Sequence, residues 1–386
     1  YKGKDKYIFN DNLSKNTVSS DNRVNIYDKE GNETYEITDF SNLNIYDYKG
    51  KDTYTVKDSK TVEIEDYSGS DTYKIFNSNI LKDDGTNGNI YDYLGKDYYE
   101  ISNSKNFVIS DESGNDEFKI NGLSNNIEIK SLKGKNKYNF EDSSDIKVSD
   151  YDLTADTTYI LDKIDNSFDP ETYSISDFGG ADKYNVSKSK GIFINDSGVD
   201  SDTYTITDSS DFKIKDYGYS KDIYNISASA GKIEDNFGGD IYNISNLSKV
   251  VEVNDNFGSD TINFTDCKAS NLVFMSQINA NGLISGDLII YDSNNKGYVL
   301  VDNFFEIDAT AKNYTAISTQ HKIEKIFAGK DDISNYTENW TSFNLVKENI
   351  IRWLDKEGKA SVVDVLNSKE PDDIEAIIVR FGGKTV

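Results

Sequence analysis

Pairs of acidic residues recur in a short glycine-containing frame along two thirds of this chain. Residues 47–56 read DYKGKDTYTV, and residues 66–75 and 92–101 repeat that pattern almost unchanged. The shared frame is D-x-x-G-x-D-x-Y-x-I, in which two carboxylates flank a turn. Carboxylate and turn carbonyl oxygens are hard ligands, which suit calcium better than zinc or copper. The first expectation is therefore a cation held at each turn.

The second acid of the frame defines the repeat. Successive copies are mostly 18 to 20 residues apart, and three longer gaps of 26 to 28 residues indicate loop insertions. Self-similarity at a fixed period is the sequence signature of a repeat architecture. The thirteen copies place this position at Asp5, Glu33, Asp52, Asp71, Asp97, Asp116, Asn136, Asp156, Asp182, Asp202, Asp222, Asp240 and Asp260.

Two pairs of apolar residues in each copy predict the elements that position the acids. One pair follows the turn, as Tyr54 and Val56 do, and the other precedes the next turn, as Val62 and Ile64 do. Because the members of a pair are two residues apart, they face one side of a strand. Two short strands and two turns make one coil of 18–20 residues, and stacked coils bury the pairs. The prediction is an all-β fold: a parallel β-roll or β-helix solenoid of about thirteen coils with stacked aromatic rings inside.

Stacking would bring carboxylates of successive coils, such as Asp52 and Asp71, to roughly 5 Å from each other. Two unit charges at that separation repel by about 1 kcal/mol in water, and by several times more at a partly buried site. A cation between them removes that repulsion. With one Cys and one His the chain offers zinc no ligand set, so the predicted ion is calcium. Its predicted ligands are Asp47, Asp52, Asp66, Asp71, Asp92, Asp97, Asp111, Asp116, Asp177, Asp182, Asp235, Asp240, Asp255 and Asp260.

Two points about the turns stay open at this stage. The acids could instead close ordinary turns and face water, because Asp and Gly dominate turns for backbone reasons. The aromatic residue after the first acid, such as Tyr48, could either pack outside the turn or shut an ion out. The second turn of each coil, such as residues 57–60, has no regular glycine. Its Asp, Asn and Ser residues can bond the backbone, so we expect it to close without a ligand.

The frame resembles the calcium-binding nonapeptide G-G-x-G-x-D-x-U-x of the RTX, or hemolysin-type, secreted proteins, in which U is a large apolar residue. Residues 178–184 and 237–242 come nearest to it. Gly50 and Asp52 take the fourth and sixth places of the nonapeptide, and Tyr54 takes the eighth. The resemblance implies a parallel β-roll, calcium between the turns of successive coils, and export by a type I secretion system.

The chain also departs from the RTX pattern. An acid replaces the first Gly and an aromatic residue the second, as at Asp47 and Tyr48, and only one turn per coil carries the motif. Asn136 replaces the acid in one turn. Three other turns hold one extra residue, namely residues 150–156, 196–202 and 216–222. Calcium is not assigned to these four turns.

The repeat array is predicted to span residues 1–265. Residues 266–335 predict a β-rich segment that caps the last coil, with a hairpin turn at residues 294–297, and their strand layout also resembles the end of RTX arrays. Residues 336–386 change to helical spacing and predict two or three short amphipathic helices. These helices have two compatible interpretations: a cap packed on the sheet, and a type I secretion signal.

Composition excludes several functions. The formal charge of -26, from 68 acids and 42 bases, opposes nucleic-acid binding, and no apolar run is long enough to span a membrane. No H-E-x-x-H, P-loop or G-x-S-x-G motif occurs, and the single His321 is predicted to be a surface or structural residue. The chain is therefore predicted not to be an enzyme. Its first residues already lie inside a repeat, so we expect a carboxy-terminal piece of a longer protein.

The leading functional prediction is an extracellular calcium-binding repeat domain of a bacterial surface-layer protein or adhesin, which folds on calcium after type I export. Its expected partners are calcium ions and the type I machinery, with a cell-surface glycan or self-association in a surface lattice as further candidates. One alternative is the accessory tail of a secreted enzyme or toxin. Another is a calcium-free solenoid that binds glycans through Tyr48, Tyr67 and Tyr93.

Overall fold

A computed structural model describes residues 4–10, 24–80, 88–167, 169–235, 237–280, 284–308, 313–316, 323–334 and 343–381. The fold is an all-β parallel solenoid, with about 12 turns in the described residues and helices only near the carboxy terminus. The coil strands, in chain order, are β1 (Lys6–Asn10), β2 (Val24–Asp28), β3 (Thr34–Thr38), β4 (Ser41–Asp47), β5 (Thr53–Lys57), β6 (Lys60–Asp66), β7 (Thr72–Phe76), β8 (Gly88–Asp92), β9 (Tyr98–Ser102), β10 (Lys105–Asp111), β11 (Glu117–Asn121), β12 (Asn125–Ser131), β13 (Lys137–Glu141), β14 (Ser144–Asp150), β15 (Thr158–Asp162), β16 (Ser174–Asp177), β17 (Lys183–Ser187), β18 (Phe193–Asp196), β19 (Thr203–Thr207), β20 (Phe212–Asp216), β21 (Ile223–Ser227), β22 (Gly231–Asp235), β23 (Ile241–Ser245), β24 (Val250–Asp255) and β25 (Asp260–Phe264).

The described chain divides into two compact units. The first comprises Tyr1–Thr205 with Ser209–Phe212, and the second comprises Ile206–Asp208 with Lys213–Val386. The predicted domain boundaries after residues 265 and 335 both fall inside the second unit, so those boundaries stay a prediction.

Parallel pairing between successive coils builds two sheets in the first unit. Odd-numbered strands pair with odd-numbered ones and even with even, so that Tyr54 lies beside Tyr73 and Asp47 beside Asp66. This register aligns each frame position with its counterpart in the next coil. The predicted solenoid fold is thereby confirmed.

The core of each coil consists of the predicted apolar pairs. Tyr54 and Val56 from one sheet, and Val62 and Ile64 from the other, are at most 2% exposed. The tyrosines and Phe118 stack face to face along the first unit, with ring centroids 4.6 to 5.0 Å apart. This spacing matches the distance between paired strands, so ring stacking and strand pairing support the same register.

In the first unit, the turn after an odd-numbered strand is here called the serine turn, because a Ser hydroxyl bonds the backbone there, as after β5, β7 and β9. In the turn after β9, Ser104 Oγ donates to the carbonyl of Ser102 (2.9 Å) and accepts the backbone N–H of Ser78 from the preceding coil (3.0 Å). Asn103 between them has a φ of 50°, a left-handed conformation that Asn tolerates. The Ser residue thus bonds the backbone as predicted, and closure without a ligand stays a prediction.

Replacing Ser104 by Ala is expected to destabilise the fold by about 1–3 kcal/mol, because it leaves the buried N–H of Ser78 without an acceptor. The loss should be the same at every saturating calcium concentration, since no acid takes part. Urea unfolding measures it, and Ser110→Ala on the outer face of β10 is the control. An equal effect of both substitutions would contradict the role of the serine turn.

The second unit contains the coil-capping segment, which is partly antiparallel. β28 (Tyr298–Val301) pairs in parallel with β24, and β31 (Ile323–Ala328) pairs in parallel with β25. β27 (Ile284–Asp292) lies between β26 (Leu272–Ile278) and β28 and is antiparallel to both. The predicted hairpin turn at residues 294–297 joins β27 to β28. The remaining elements are a 3-10 helix (Ala269–Asn271), β26 (Leu272–Ile278), β27 (Ile284–Asp292), β28 (Tyr298–Val301), β29 (Phe305–Asp308), β30 (Asn313–Ala316), β31 (Ile323–Ala328), β32 (Asp331–Asp332), α1 (Phe343–Glu357), α2 (Val362–Ser368) and α3 (Pro371–Arg380).

The three helices pack on this segment. Gly358 follows α1 with a φ of 66°, Ser361 caps α2 by accepting the N–H of Asp364 (3.0 Å), and Pro371 begins α3. Their apolar residues share one buried cluster with the sheet: Val273, Met275, Ile278, Ile289, Tyr291, Tyr298, Ile350, Trp353, Leu354, Val362, Val365, Leu366, Ile374, Ile377 and Ile378. The interpretation of the helices as a packed cap is confirmed, and the secretion signal stays a prediction. His321 lies outside the described residues.

Candidate metal centres

The acid turn of a coil joins an even-numbered strand to the next odd-numbered strand, and in most coils it carries both acids of the frame. Asp66 ends β6, Asp71 directly precedes β7, and the two are 0% and 1% exposed. All fourteen predicted ligands are buried in the same way, and the most accessible of them, Asp255, is only 6% exposed. The alternative in which these acids face water is therefore wrong.

Hydrogen bonds from the core hold one oxygen of each carboxylate. Tyr54 Oη donates to Asp66 Oδ2 (2.7 Å), and the backbone N–H of Asp52 donates to Asp71 Oδ1 (2.6 Å). The same two bonds recur in neighbouring coils. The stacked tyrosines thus do more than fill the core, because their hydroxyl groups orient the acids.

The second oxygen of many of these carboxylates is buried and has no hydrogen-bond partner. A buried polar atom without a partner is costly, and a buried charge without one is far more so. In the first unit, such atoms belong both to first acids and to second acids of the frame. They include both Oε atoms of Glu33, Oδ1 of Asp47, Asp92 and Asp111, and Oδ2 of Asp52, Asp71, Asp97, Asp116 and Asp182. In the second unit, Asp240 Oδ2 and Asp255 Oδ1 are in the same state.

The acids of the turns, most of which carry such an oxygen, gather in groups of three. Each group has two acids from one coil and one from the coil before it, and its three ligand atoms all lie within 4.8 Å of one another. Oxygens bound to calcium at about 2.3–2.6 Å can be at most about 5 Å apart, so the spacing fits that ion. Five such groups in the first unit are Asp5/Asp28/Glu33, Glu33/Asp47/Asp52, Asp52/Asp66/Asp71, Asp71/Asp92/Asp97 and Asp97/Asp111/Asp116.

Glycine in the acid turn adds backbone oxygens to the same space. A Cβ on Gly95 would lie 2.5 Å from Asp97 Oδ2, 2.6 Å from Asp97 Oδ1 and 2.5 Å from the carbonyl oxygen of Gly69 in the coil before. All three distances are shorter than about 3.0 Å, which real Cβ contacts essentially never show. The turn therefore encloses a space lined by three oxygens that no side chain at residue 95 can share.

Gly95→Ala is expected to abolish calcium binding at its turn and to lower stability by at least about 1–3 kcal/mol, the usual cost of overpacking. Gly239→Ala is the matched control, because a Cβ there would meet nothing nearer than 3.6 Å. Calorimetric titration with calcium and urea unfolding measure the two effects. Identical behaviour of both variants would contradict the account of this space.

Burial dominates the electrostatics of the acid turns. It raises the pKa of Asp52 and of Asp66 to about 8, and that of Asp71 to about 9, where the negative charge of Asp66 adds to the effect. In the second unit, burial and the charge of Asp240 raise the pKa of Asp235 to about 11. Near neutral pH these carboxyl groups must therefore either keep protons or gain a compensating cation.

Several inward-facing acids were missing from the predicted set. Glu33, Asp28 and Asp5 belong to the clusters above, although Asp5 is exposed. Asp196, Asp202, Asp216 and Asp222 are buried like the predicted ligands, so the extra residue in their turns does not move them outward. A signal for the second acid was present, since in most coils it lies two residues before the core Tyr or Phe.

That same offset corrects one repeat position. Asp156, counted as the second acid of its copy, is exposed, and Thr157 takes the buried place two residues before Tyr159. Measured from Asp150 to Thr157, this turn is two residues longer than the regular turn from Asp47 to Asp52.

The aromatic residue after the first acid packs outside the turn. Tyr48, Tyr67 and Tyr93 stack with centroid distances of 4.8 and 4.9 Å, at interplanar angles of 3° and 2°. Tyr67 Oη donates to Glu65 (2.6 Å), on the outer surface. The open question is thus resolved, because these rings leave the interior of the turn to the acids.

Comparisons with protein-family models, with curated proteins and with solved structures found no match to this chain. The structure supports a parallel solenoid with buried acidic clusters, which fits a β-roll of the RTX type, whereas membership of that family stays a proposal. Within the described ranges, no helix combines the length and the apolar character needed to cross a bilayer.

Proposed function

We propose that this chain is a non-enzymatic calcium-binding solenoid that works outside the cell. One observation carries the proposal. Buried acids, most with one carboxylate oxygen that has no hydrogen-bond partner, gather in groups of three between successive coils, as Glu33, Asp47 and Asp52 do. Such a group suits a cation with a flexible shell of oxygen ligands.

The charge count favours a divalent ion. Each regular coil adds two carboxylates and one cluster, because the second acid of a coil serves two clusters, as Asp52 and Asp71 do. One divalent ion per cluster therefore balances the two added charges, whereas a monovalent ion would leave one uncompensated. At the low dielectric of a buried site that remaining charge would repel its neighbours by several kcal/mol.

Ligand type and coordination flexibility favour calcium over magnesium. Magnesium requires a near-ideal octahedron and usually keeps several waters. Calcium tolerates larger and less regular shells, which fits the carboxylates and turn carbonyls of successive coils. These two properties support the predicted calcium preference.

An extracellular site of action follows from the linkage between metal and fold. Ligands from two coils meet only when the coils stack, so binding free energy becomes folding free energy. Calcium modules outside cells commonly bind at about 10⁻⁴–10⁻³ M, a concentration that the cytosol does not supply. We therefore propose that the chain stacks its coils after export. On the RTX resemblance we propose type I secretion and a place in a bacterial surface layer or adhesin.

Among the proposed partners, self-association in a surface lattice is preferred to a glycan. Sugars commonly bind to the faces of aromatic rings, but both faces of Tyr67 are covered by Tyr48 and Tyr93 in the outer stack. A glycan would therefore meet ring edges along most of this row.

The test is a titration of calcium-depleted protein at pH 7.5 with calcium and, separately, with magnesium. We expect calcium alone to produce the β-sheet circular dichroism signal, with saturation at several ions per chain. A signal that is unchanged by depletion, or an equal response to magnesium, would overturn the proposal.

A further inference from the structure

The run of acidic clusters in the first unit is broken at one coil. The backbone N–H of Asp116 donates to Asn136 Oδ1 (3.0 Å), so Asn136 occupies the place of a second acid. Its Nδ2 group donates to Ser131 Oγ (2.8 Å) and to Asp150 Oδ2 (3.1 Å). An amide donor therefore points at a carboxylate that in other coils would face a cation.

The acid row is the series of first-acid and second-acid positions along the coils, and two more of its positions near Asn136 are neutral. Ser131 lies in register between Asp111 and Asp150, where the first acid of its coil would be. Thr157 takes the next second-acid place, and its N–H donates to Asp182 Oδ1 (2.6 Å). Three of the four positions of the row at residues 131–157 thus carry no charge, and Asp150 is the fourth.

Asp150, the one acid inside this stretch, is satisfied by protein groups. Its Oδ2 accepts from Tyr138 Oη (3.0 Å) as well as from Asn136, and its Oδ1 accepts the N–H of Asp152 (3.2 Å). Among the described residues between Asp116 and Asp182, no carboxylate oxygen is both buried and without a partner. In this stretch, hydrogen bonds between protein groups close the acid turns, as they do in the serine turns.

We propose that this chain binds calcium in two separate blocks, divided by a metal-free stretch at residues 131–157. The proposal rests on the proposed calcium function. Before the break, each cluster shares an acid with the next, as Asp97 is shared, so an ion in one cluster fixes a ligand of its neighbour. No acid is shared across Asn136. Coupling between ions therefore ends at Asn136, and the coils of residues 131–157 stay stacked without calcium.

The experiment follows hydrogen–deuterium exchange as a function of calcium, with peptides from β5–β11 reporting the first block and peptides from β17–β18 reporting the second. Asp71→Asn combined with Asp97→Asn weakens the first block. We expect the calcium midpoint of β17–β18 to stay unchanged in this variant. Asp58→Asn combined with Asp142→Asn, both exposed in serine turns, is the matched control.

A second background restores the acid row by the substitutions Ser131→Asp, Asn136→Asp and Thr157→Asp. In this background, Asp71→Asn combined with Asp97→Asn should shift the calcium midpoint of the second block to higher calcium by at least about fivefold. That factor is the lower end of usual coupling between sites. If this triple variant fails to fold, Asn136→Asp alone serves, and its midpoint shift should keep the same direction.

The outcomes separate the two proposals. Hydrogen-exchange protection that does not change with calcium concentration in either block would overturn the calcium function itself. In a second outcome, protection depends on calcium, and the calcium midpoint of the second block shifts when the first block of the natural sequence is weakened. That result would overturn the division alone. Absence of coupling in the restored background would show that the neutral stretch is not what separates the blocks, and would overturn the division too.

Discussion

Calcium-depleted protein is expected to lose its β-sheet signal as the pH rises from 5 to 8.5, and to recover it when calcium is added at pH 8.5. Without an ion, the stacked coils can hold their buried carboxyl groups only in the protonated form. The pKa values of Asp52, Asp71 and Asp97, raised by burial to about 8, 9 and 8, give the range in which those protons are lost. Calcium replaces the protons and restores stacking.

The direction in which stability changes with pH follows from proton linkage. In the unfolded chain these carboxyl groups have pKa values near about 4, so between about pH 4 and pH 9 the ion-free fold binds more protons than the unfolded chain. Its stability is therefore full below about pH 4 and falls as the pH rises through about 8 to 9. Each pKa unit corresponds to about 1.4 kcal/mol, so a few such groups outweigh the usual net stability of about 5–15 kcal/mol.

The measurement is far-ultraviolet circular dichroism with urea unfolding at several pH values, on protein depleted of divalent ions. Calcium-saturated protein is the control, and its stability should fall far less over the same interval. Equal stability of the depleted protein at pH 5 and pH 8.5 would contradict the prediction.

Sequence predicted the fold well because two independent signals coincide in each coil. The frame repeats every 18 to 20 residues, and the apolar pairs repeat with it, so that only one register buries Tyr54 over Tyr73 and also aligns Asp47 with Asp66. The capping hairpin and the helices were predictable as local patterns. The packing of the helices on β26–β28 was not, since amphipathic spacing gives a face but no partner.

The acid turns were only partly predictable, because loop length proved a poor guide to side-chain direction. Asp202 and Asp222 stay buried despite the extra residue, whereas Asp156 does not. The decisive constraint is the inward Tyr of the following strand, which fixes the residue two places earlier. Burial itself could not be read from composition, because Asp in a Gly-containing turn is usually solvated.

Asp71→Asn is expected to change stability in opposite directions with and without calcium. Asp71 serves two clusters, one with Asp52 and Asp66 and one with Asp92 and Asp97. Asparagine keeps an oxygen that can accept the N–H of Asp52, so the backbone contact between coils survives. The substitution removes one negative charge, which the two clusters share. Calcium affinity at both sites should fall by at least about tenfold, or about 1.4 kcal/mol per site.

In calcium-depleted protein the same substitution should stabilise the fold and move the loss of the β-sheet signal to higher pH, because Asn, unlike Asp, needs no proton to be neutral when buried. Urea unfolding with saturating calcium, and the pH dependence of the circular dichroism signal without it, measure the two effects. Asp58→Asn is the matched control: Asp58 is exposed in the serine turn, and Asn77 and Asn103 occupy the equivalent place in the next two coils with the same left-handed φ of about 50°. A purely structural role for Asp71 would make Asp71→Asn destabilising in both conditions. Only repulsion between acids that calcium relieves makes the sign of the effect depend on the ion.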